Sequence, residues 1–151
     1  MSNQPVNCIV AANAIIINQN KFLLIKHNRP ERATGKYWLV WGKIEIWETF
    51  IEWLIREIEE ETGIKVLHTE IKKLCILHES PEITCKHIYL VQRETLDNDF
   101  KFDKNEVQSI DWIEWDIVKN MNTNNFRKDR VQKIISDFVD WKFNKWNFIY
   151  S

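Results

Sequence analysis

Three glutamates fall close together in residues 42–64, GKIEIWETFIEWLIREIEEETGI. Glu57, Glu60 and Glu61 stand at i, i+3 and i+4, a spacing that projects all three from one face of a helix. Three carboxylates on one face make a hard-oxygen site. Mg²⁺ or Mn²⁺ suits such a site, because these ions accept one or two protein carboxylates and fill the remaining positions with water and substrate phosphates. Carboxylates packed this closely repel one another, so the cluster costs stability unless a cation neutralises it. Arg56 lies within the run, and its i, i+4 spacing allows ion pairs with Glu52 or Glu60. An acidic run alone reads as a solvated helix face. Here the flanking Gly42, Glu48, Arg56 and Gly63 add fixed offsets that a solvated face has no reason to keep.

The elements that must hold these residues follow from periodicity. Ile51, Leu54, Ile55 and Ile58 recur at helical spacing and predict a helix over 49–62. Thr49 followed by Glu52 has capping-box spacing, and Gly63 is placed to take the left-handed conformation that ends a helix. Upstream, residues 7–17 and 21–26 are rich in β-branched and apolar side chains. Asn18, Gln19 and Asn20 between them predict a hairpin. The loop HNRPERATGK then carries His27, Arg29, Arg32 and Lys36; Arg29, Arg32 and Lys36 are candidate contacts for substrate phosphates. Downstream, residues 64–78, 85–93 and 107–114 have strand-like content, and residues 126–143 read as an amphipathic helix with Val131, Ile134, Ile135 and Phe138 on one side. Strands flanking helices of this length indicate a layered α/β or α+β domain, and 151 residues suit one domain, 1–151.

Composition narrows the partners. With 21 basic and 22 acidic residues the chain generates no global field for long nucleic acids or anionic membranes, so a phosphate ligand must be held locally. Cys8, Cys75 and Cys85 lack zinc-site or disulfide-framework spacing and read as free thiols in a reducing cytosol. CIVAANAIII is too short and too polar to span a bilayer. A soluble cytoplasmic protein is expected. His27, His68, His78 and His87 show no metal-ligand spacing and receive no role.

Residues 42–64 resemble the Nudix box: Gly42, five residues, Glu48, seven residues, Arg56-Glu57, aliphatic Ile58, one residue, Glu60-Glu61, one residue, Gly63 and aliphatic Ile64. The resemblance implies an α/β/α sandwich around a mixed β-sheet. It also implies a magnesium-dependent pyrophosphohydrolase, with manganese as the alternative ion, acting on a small-molecule nucleoside diphosphate derivative. Glu57, Glu60 and Glu61 would bind the metal with the Gly42 carbonyl, while Arg56 and Glu48 form an orienting pair. Glu57 and Glu60 are the box carboxylates expected to act in catalysis, and Glu106, ahead of the strand VQSIDWI, is a candidate extra carboxylate. A non-catalytic Nudix-like module binding a nucleotide or a protein is the alternative.

One departure stands out. Nudix proteins usually carry Gly where this chain has Trp41 and Trp47, and a small residue where it has Trp53. Glycines there permit backbone angles that cost other residues on the order of 1–3 kcal/mol. Trp53 lies one turn before Glu57 and is expected to crowd the metal site. The chain has 3 glycines and 8 tryptophans, although ordinary usage of roughly 7% Gly would give about ten. Two explanations account for this: a remodelled site, or glycine codons read as tryptophan, as happens when UGA encodes Gly and is translated as Trp. Under the second, Trp38 and Trp112 are genuine, whereas Trp41, Trp47, Trp53, Trp141 and Trp146 are suspect.

Overall fold

The computed structural model describes residues 9–28, 35–79, 84–126 and 129–143. Its strands are β1 (Ile9–Asn18), β2 (Lys21–His27), β3 (Tyr37–Trp38), β4 (Val40–Lys43), β5 (Ile71–Glu79), β6 (Thr84–Gln92) and β7 (Val107–Glu114). Its helices are α1 (Phe50–Thr62), α2 (Trp115–Asn120) and α3 (Asp129–Phe143).

The apolar run IVAANAIIIN forms β1 at the centre of the sheet, buried on both faces from Ala11 to Asn18. It turns through Gln19 and Asn20 into β2, with Ile17 opposite Phe22, as the hairpin pattern predicts. β6 pairs with β1 in parallel, from Ile9 opposite Thr84 to Ile17 opposite Gln92, while the other pairings are antiparallel. The seven-stranded sheet is therefore mixed, in the order β3-β2-β1-β6-β5, with β4 also pairing β1 and β7 pairing β2.

Alternation along the strands divides the core in two. Ala12, Ala14, Ile16, Leu23, Ile25, Tyr89 and Val91 face α1 and pack against Trp53, Leu54 and Ile58. Ile15, Ile17, Phe22, Leu24 and Ile88 face the other way, onto Val118 of α2 and Val131, Ile135 and Phe138 of α3. This period-two division places helices on both sheet faces and gives the expected α/β/α sandwich.

Two boundaries differ from expectation. Strand β5 begins only at Ile71, because the Glu70 carboxylate accepts the Leu67 N–H at 2.7 Å and winds His68–Glu70 into a 3-10 turn. A local side-chain bond there replaces cross-strand pairing. The helix expected from 126 begins at Asp129, and Phe126 instead forms a bridge with Tyr37.

Candidate active site

Helix α1 positions the acidic cluster, and both of its predicted ends form. Thr49 Oγ1 accepts the Glu52 N–H at 3.3 Å and Glu52 Oε2 accepts the Thr49 N–H at 2.9 Å, completing the capping box. Gly63 closes the helix at φ 75, donating its N–H to Glu59 O at 2.8 Å. A Cβ on Gly63 would lie 2.7 Å from the Lys101 backbone nitrogen, so close approach of that chain also requires glycine.

Arg56 is the hub. Its Nε and Nη2 donate to the two oxygens of Glu48 at 2.8 and 3.0 Å, a bidentate pair. The Nη1 group donates to Glu57 Oε1 and Glu60 Oε2, each at 3.1 Å. Of the two helical partners open to Arg56, Glu60 is taken and Glu52 is consumed by the cap. The Arg56 hydrogen bonds hold the Glu48 carboxyl below the usual carboxylate range. Burial pushes Glu57 up, a shift that Arg56 only partly offsets. Two box carboxylates thus differ in character: the Glu57 side chain is 17% exposed and the Glu60 side chain 60%.

Gly42, at the end of β4, brings bare backbone against Glu57. A Cβ there would lie 2.6 Å from Glu57 Cδ, 2.7 Å from its Oε1 and 2.9 Å from Trp53 Cζ2. This cradle fits the expected metal position, since it sets the backbone of Gly42 beside Glu57, a box carboxylate whose side chain is largely buried. The all-oxygen donor set of Gly42, Glu57, Glu60 and Glu61 also matches the preference of Mg²⁺ and Mn²⁺. Among the described residues no three His, Cys, Asp or Glu side chains are already gathered to hold a metal ion, so the expected cluster of Glu57, Glu60 and Glu61 is not drawn together. Glu57 and Glu60 gather around Arg56, while Glu61 faces His27, with Oε1 4.0 Å from Nε2.

That contact was not legible in the sequence. His27 is buried at the end of β2, and its approach to Glu61 depends on how the sheet docks on α1. The Asn28 N–H donates to Glu106 O at 2.8 Å, which ties the turn carrying Glu106 to the same end of the sheet. Lys36 lies just before β3, whereas Arg29 and Arg32 fall outside the described residues.

The three unusual tryptophans part company. Trp47 has φ 81, against 78 and 75 at Gly35 and Gly63. It sits third in a turn closed by Glu48 N–H to Glu45 O at 3.4 Å, the place where a positive φ favours glycine. Its side chain is 97% exposed. Trp41 lies in β4 opposite Asn13 and packs edge-on against Trp38, ring centroids 6.0 Å apart. Trp53 is 0% exposed and donates its indole N–H to Glu57 Oε1 at 3.2 Å. Instead of crowding the site from outside, it is packed beneath it.

A profile of the NUDIX domain matches residues 9–134. The chain belongs to the Nudix family. Among relatives of this Nudix protein, the NAD-capped RNA hydrolase NudC of Vibrio atlanticus (strain LGP32) is 42% identical over 59 residues, 39% of this chain and 20% of the relative. The ADP-ribose pyrophosphatase of Methanocaldococcus jannaschii is 42% identical over 74 residues, 48% of this chain and 41% of the relative. The matches thus span less than half the length of either relative. A Nudix hydrolase structure from Nitrosomonas europaea superposes with a TM-score of 0.74 at 24% identity, covering 90% of this chain and 91% of that one, a likeness of fold.

Proposed function

We propose that this Nudix protein is a divalent-metal-dependent pyrophosphohydrolase acting on a small nucleoside diphosphate linked to another group. The observation carrying this reading is the clamp of Gly42, Glu57 and Arg56, in which a half-buried carboxylate is pressed between bare backbone and a guanidinium that also holds Glu48 and Glu60. Such a clamp fixes oxygen ligands in advance, so little reorganisation is needed when a phosphate arrives.

Gly42, Glu57, Glu60 and Glu61 would hold the cation. When bound, a divalent ion neutralises phosphate charge and acidifies a coordinated water. The residues of the chain supply position and proton transfer. Arg56 fixes Glu48, Glu57 and Glu60 relative to one another. A box carboxylate oxygen not engaged by the cation, from Glu57 or Glu60, accepts the proton of the attacking water. Arg29, Arg32 and Lys36, on the basic loop, engage substrate phosphates, and Glu106 is the further carboxylate at the same end of the sheet. The site serves small nucleotide derivatives, and the near-neutral charge of the chain supplies no global field for long nucleic acids or membranes. Neither Cys75 nor Cys85 forms a disulfide among the described residues, in keeping with a reducing compartment, and no helix among the described residues is long and apolar enough to cross a membrane.

A second reading, a non-catalytic nucleotide- or protein-binding module, draws on the turn ahead of Glu48. There Ile46 and Trp47 are 82% and 97% exposed, an apolar tip suited to contact. Incubation with ADP-ribose, NAD⁺, a dinucleoside polyphosphate and an oxidised nucleoside triphosphate, with Mg²⁺ or with chelator, separates the readings. Metal-dependent release of a nucleoside monophosphate, with ADP-ribose the first substrate to try, supports the enzyme. Saturable binding without turnover supports the module.

A further inference from the structure

We propose that Trp53 is a positioning residue for Glu57, setting which carboxylate oxygen faces the metal. The inference rests on the proposed role of Glu57 as a metal-binding carboxylate. Two donors converge on one oxygen: Arg56 Nη1 reaches Glu57 Oε1 at 3.1 Å and Trp53 Nε1 reaches it at 3.2 Å. With Oε1 engaged by both, Oε2 is the oxygen left for a cation. The indole cannot shift to relax this bond, because Trp53 is fully buried among the residues packed between α1 and the sheet. Gly42 packs against this same junction, since a Cβ at that position would strike the carboxyl group at Oε1 and Trp53 Cζ2 together.

The arrangement has a physical logic. A half-buried carboxylate next to Glu60 has several rotamers open to it, and only some present an oxygen to the open side. A rigid donor one helical turn away, at i−4, selects among them without adding a charge that would compete with the metal. Lysine at the same place would bind the carboxylate more strongly and repel the cation.

The test uses Mn²⁺ as a paramagnetic probe with wild type, Trp53→Phe and Trp53→Gly, recording Mn²⁺ affinity by electron paramagnetic resonance beside the thermal midpoint without metal. Loss of an outer-shell partner of a metal ligand weakens affinity about tenfold or more, so Trp53→Phe is expected to bind Mn²⁺ about tenfold more weakly. Nitrogen-15 spectra of the indole groups give a second readout independent of variant stability. The Trp53 indole proton, assigned by its loss in Trp53→Phe, is expected to move on Mg²⁺ addition and in Glu57→Gln. A Trp53→Phe chain that binds Mn²⁺ like wild type, an indole proton that ignores Mg²⁺, or a Trp53→Gly chain at least as stable and as tight as wild type would each overturn the proposal. Wild type that binds no Mn²⁺ overturns the metal role of Glu57 as well, and so is told apart from failure of Trp53 alone.

Discussion

Replacing Trp47 by glycine should stabilise the protein, although most substitutions of a tryptophan destabilise. The backbone at 47 has φ 81, close to the values at Gly35 and Gly63 and well beyond the 51 of Gln19, the other non-glycine residue with positive φ among the described residues. A side chain held there stores on the order of 1–3 kcal/mol of strain. Glycine carries a greater entropy loss on folding, about 0.5–1 kcal/mol. Almost no burial is given up, because the indole is 97% exposed. The difference leaves roughly 1 kcal/mol in favour of glycine, which for a chain of this size raises the thermal midpoint by about 2–4 °C. Trp53→Gly should behave in the opposite way. It empties a fully buried site, and removing a buried aromatic ring costs about 3–5 kcal/mol. Urea denaturation and thermal melting of both variants, followed by circular dichroism, test the contrast. A Trp47→Gly midpoint at or below wild type would refute the strain argument.

Peptide mass mapping of the protein from its native cells should find Gly at 47, and Trp there would favour a remodelled turn over a recoded codon. Gly42→Ala forces a Cβ to within 2.6 Å of Glu57 Cδ, so Mg²⁺-dependent turnover should fall at least about tenfold with circular dichroism unchanged; wild-type turnover would contradict the cradle. Gly63→Ala meets both φ 75 and the Lys101 backbone at 2.7 Å, and urea titration should show a loss of at least about 1–3 kcal/mol. His87 stacks on Phe50 at the start of α1, centroids 4.0 Å apart, and its pKa is lowered from 6.5 by burial, with Lys73 adding to the effect. The unfolded chain therefore binds that proton more readily. Stability from His87 is complete above pH 6.5 and is lost as pH falls through the lowered folded value, and His87→Phe should flatten this slope in urea midpoints measured from neutral to acid pH.

The parts of the molecule legible in the sequence are those fixed by short-range chemistry. Thr49, Glu52 and Gly63 announce both ends of α1 because capping involves residues three or four apart. The β1–β2 hairpin is visible for the same reason. The parallel pairing of β1 with β6 has no local signal, since it joins residues about 75 positions apart and is decided by which apolar faces pack together. At 64–70, apolar content suggests a strand, but the Glu70 carboxylate wins the Leu67 N–H and a turn results. The site divides similarly. The offsets of the box place Glu48, Arg56, Glu57 and Glu60 in one cluster, and the structure joins them through a single guanidinium. His27 beneath Glu61 is out of reach of spacing arguments because its burial depends on the register of β2 with β7. Proximity of Trp53 to Glu57 was readable from i, i+4 spacing, whereas its role as donor required the direction of the indole.

The most direct test of the central claim is product analysis of ADP-ribose incubated with Mg²⁺ and wild type, Glu57→Gln or Glu60→Gln, each first shown to be folded. The account predicts AMP and ribose 5-phosphate from wild type, none with chelator, and a loss of about a hundredfold or more in Glu57→Gln. Turnover that survives both substitutions, or that proceeds without a divalent ion, would contradict it.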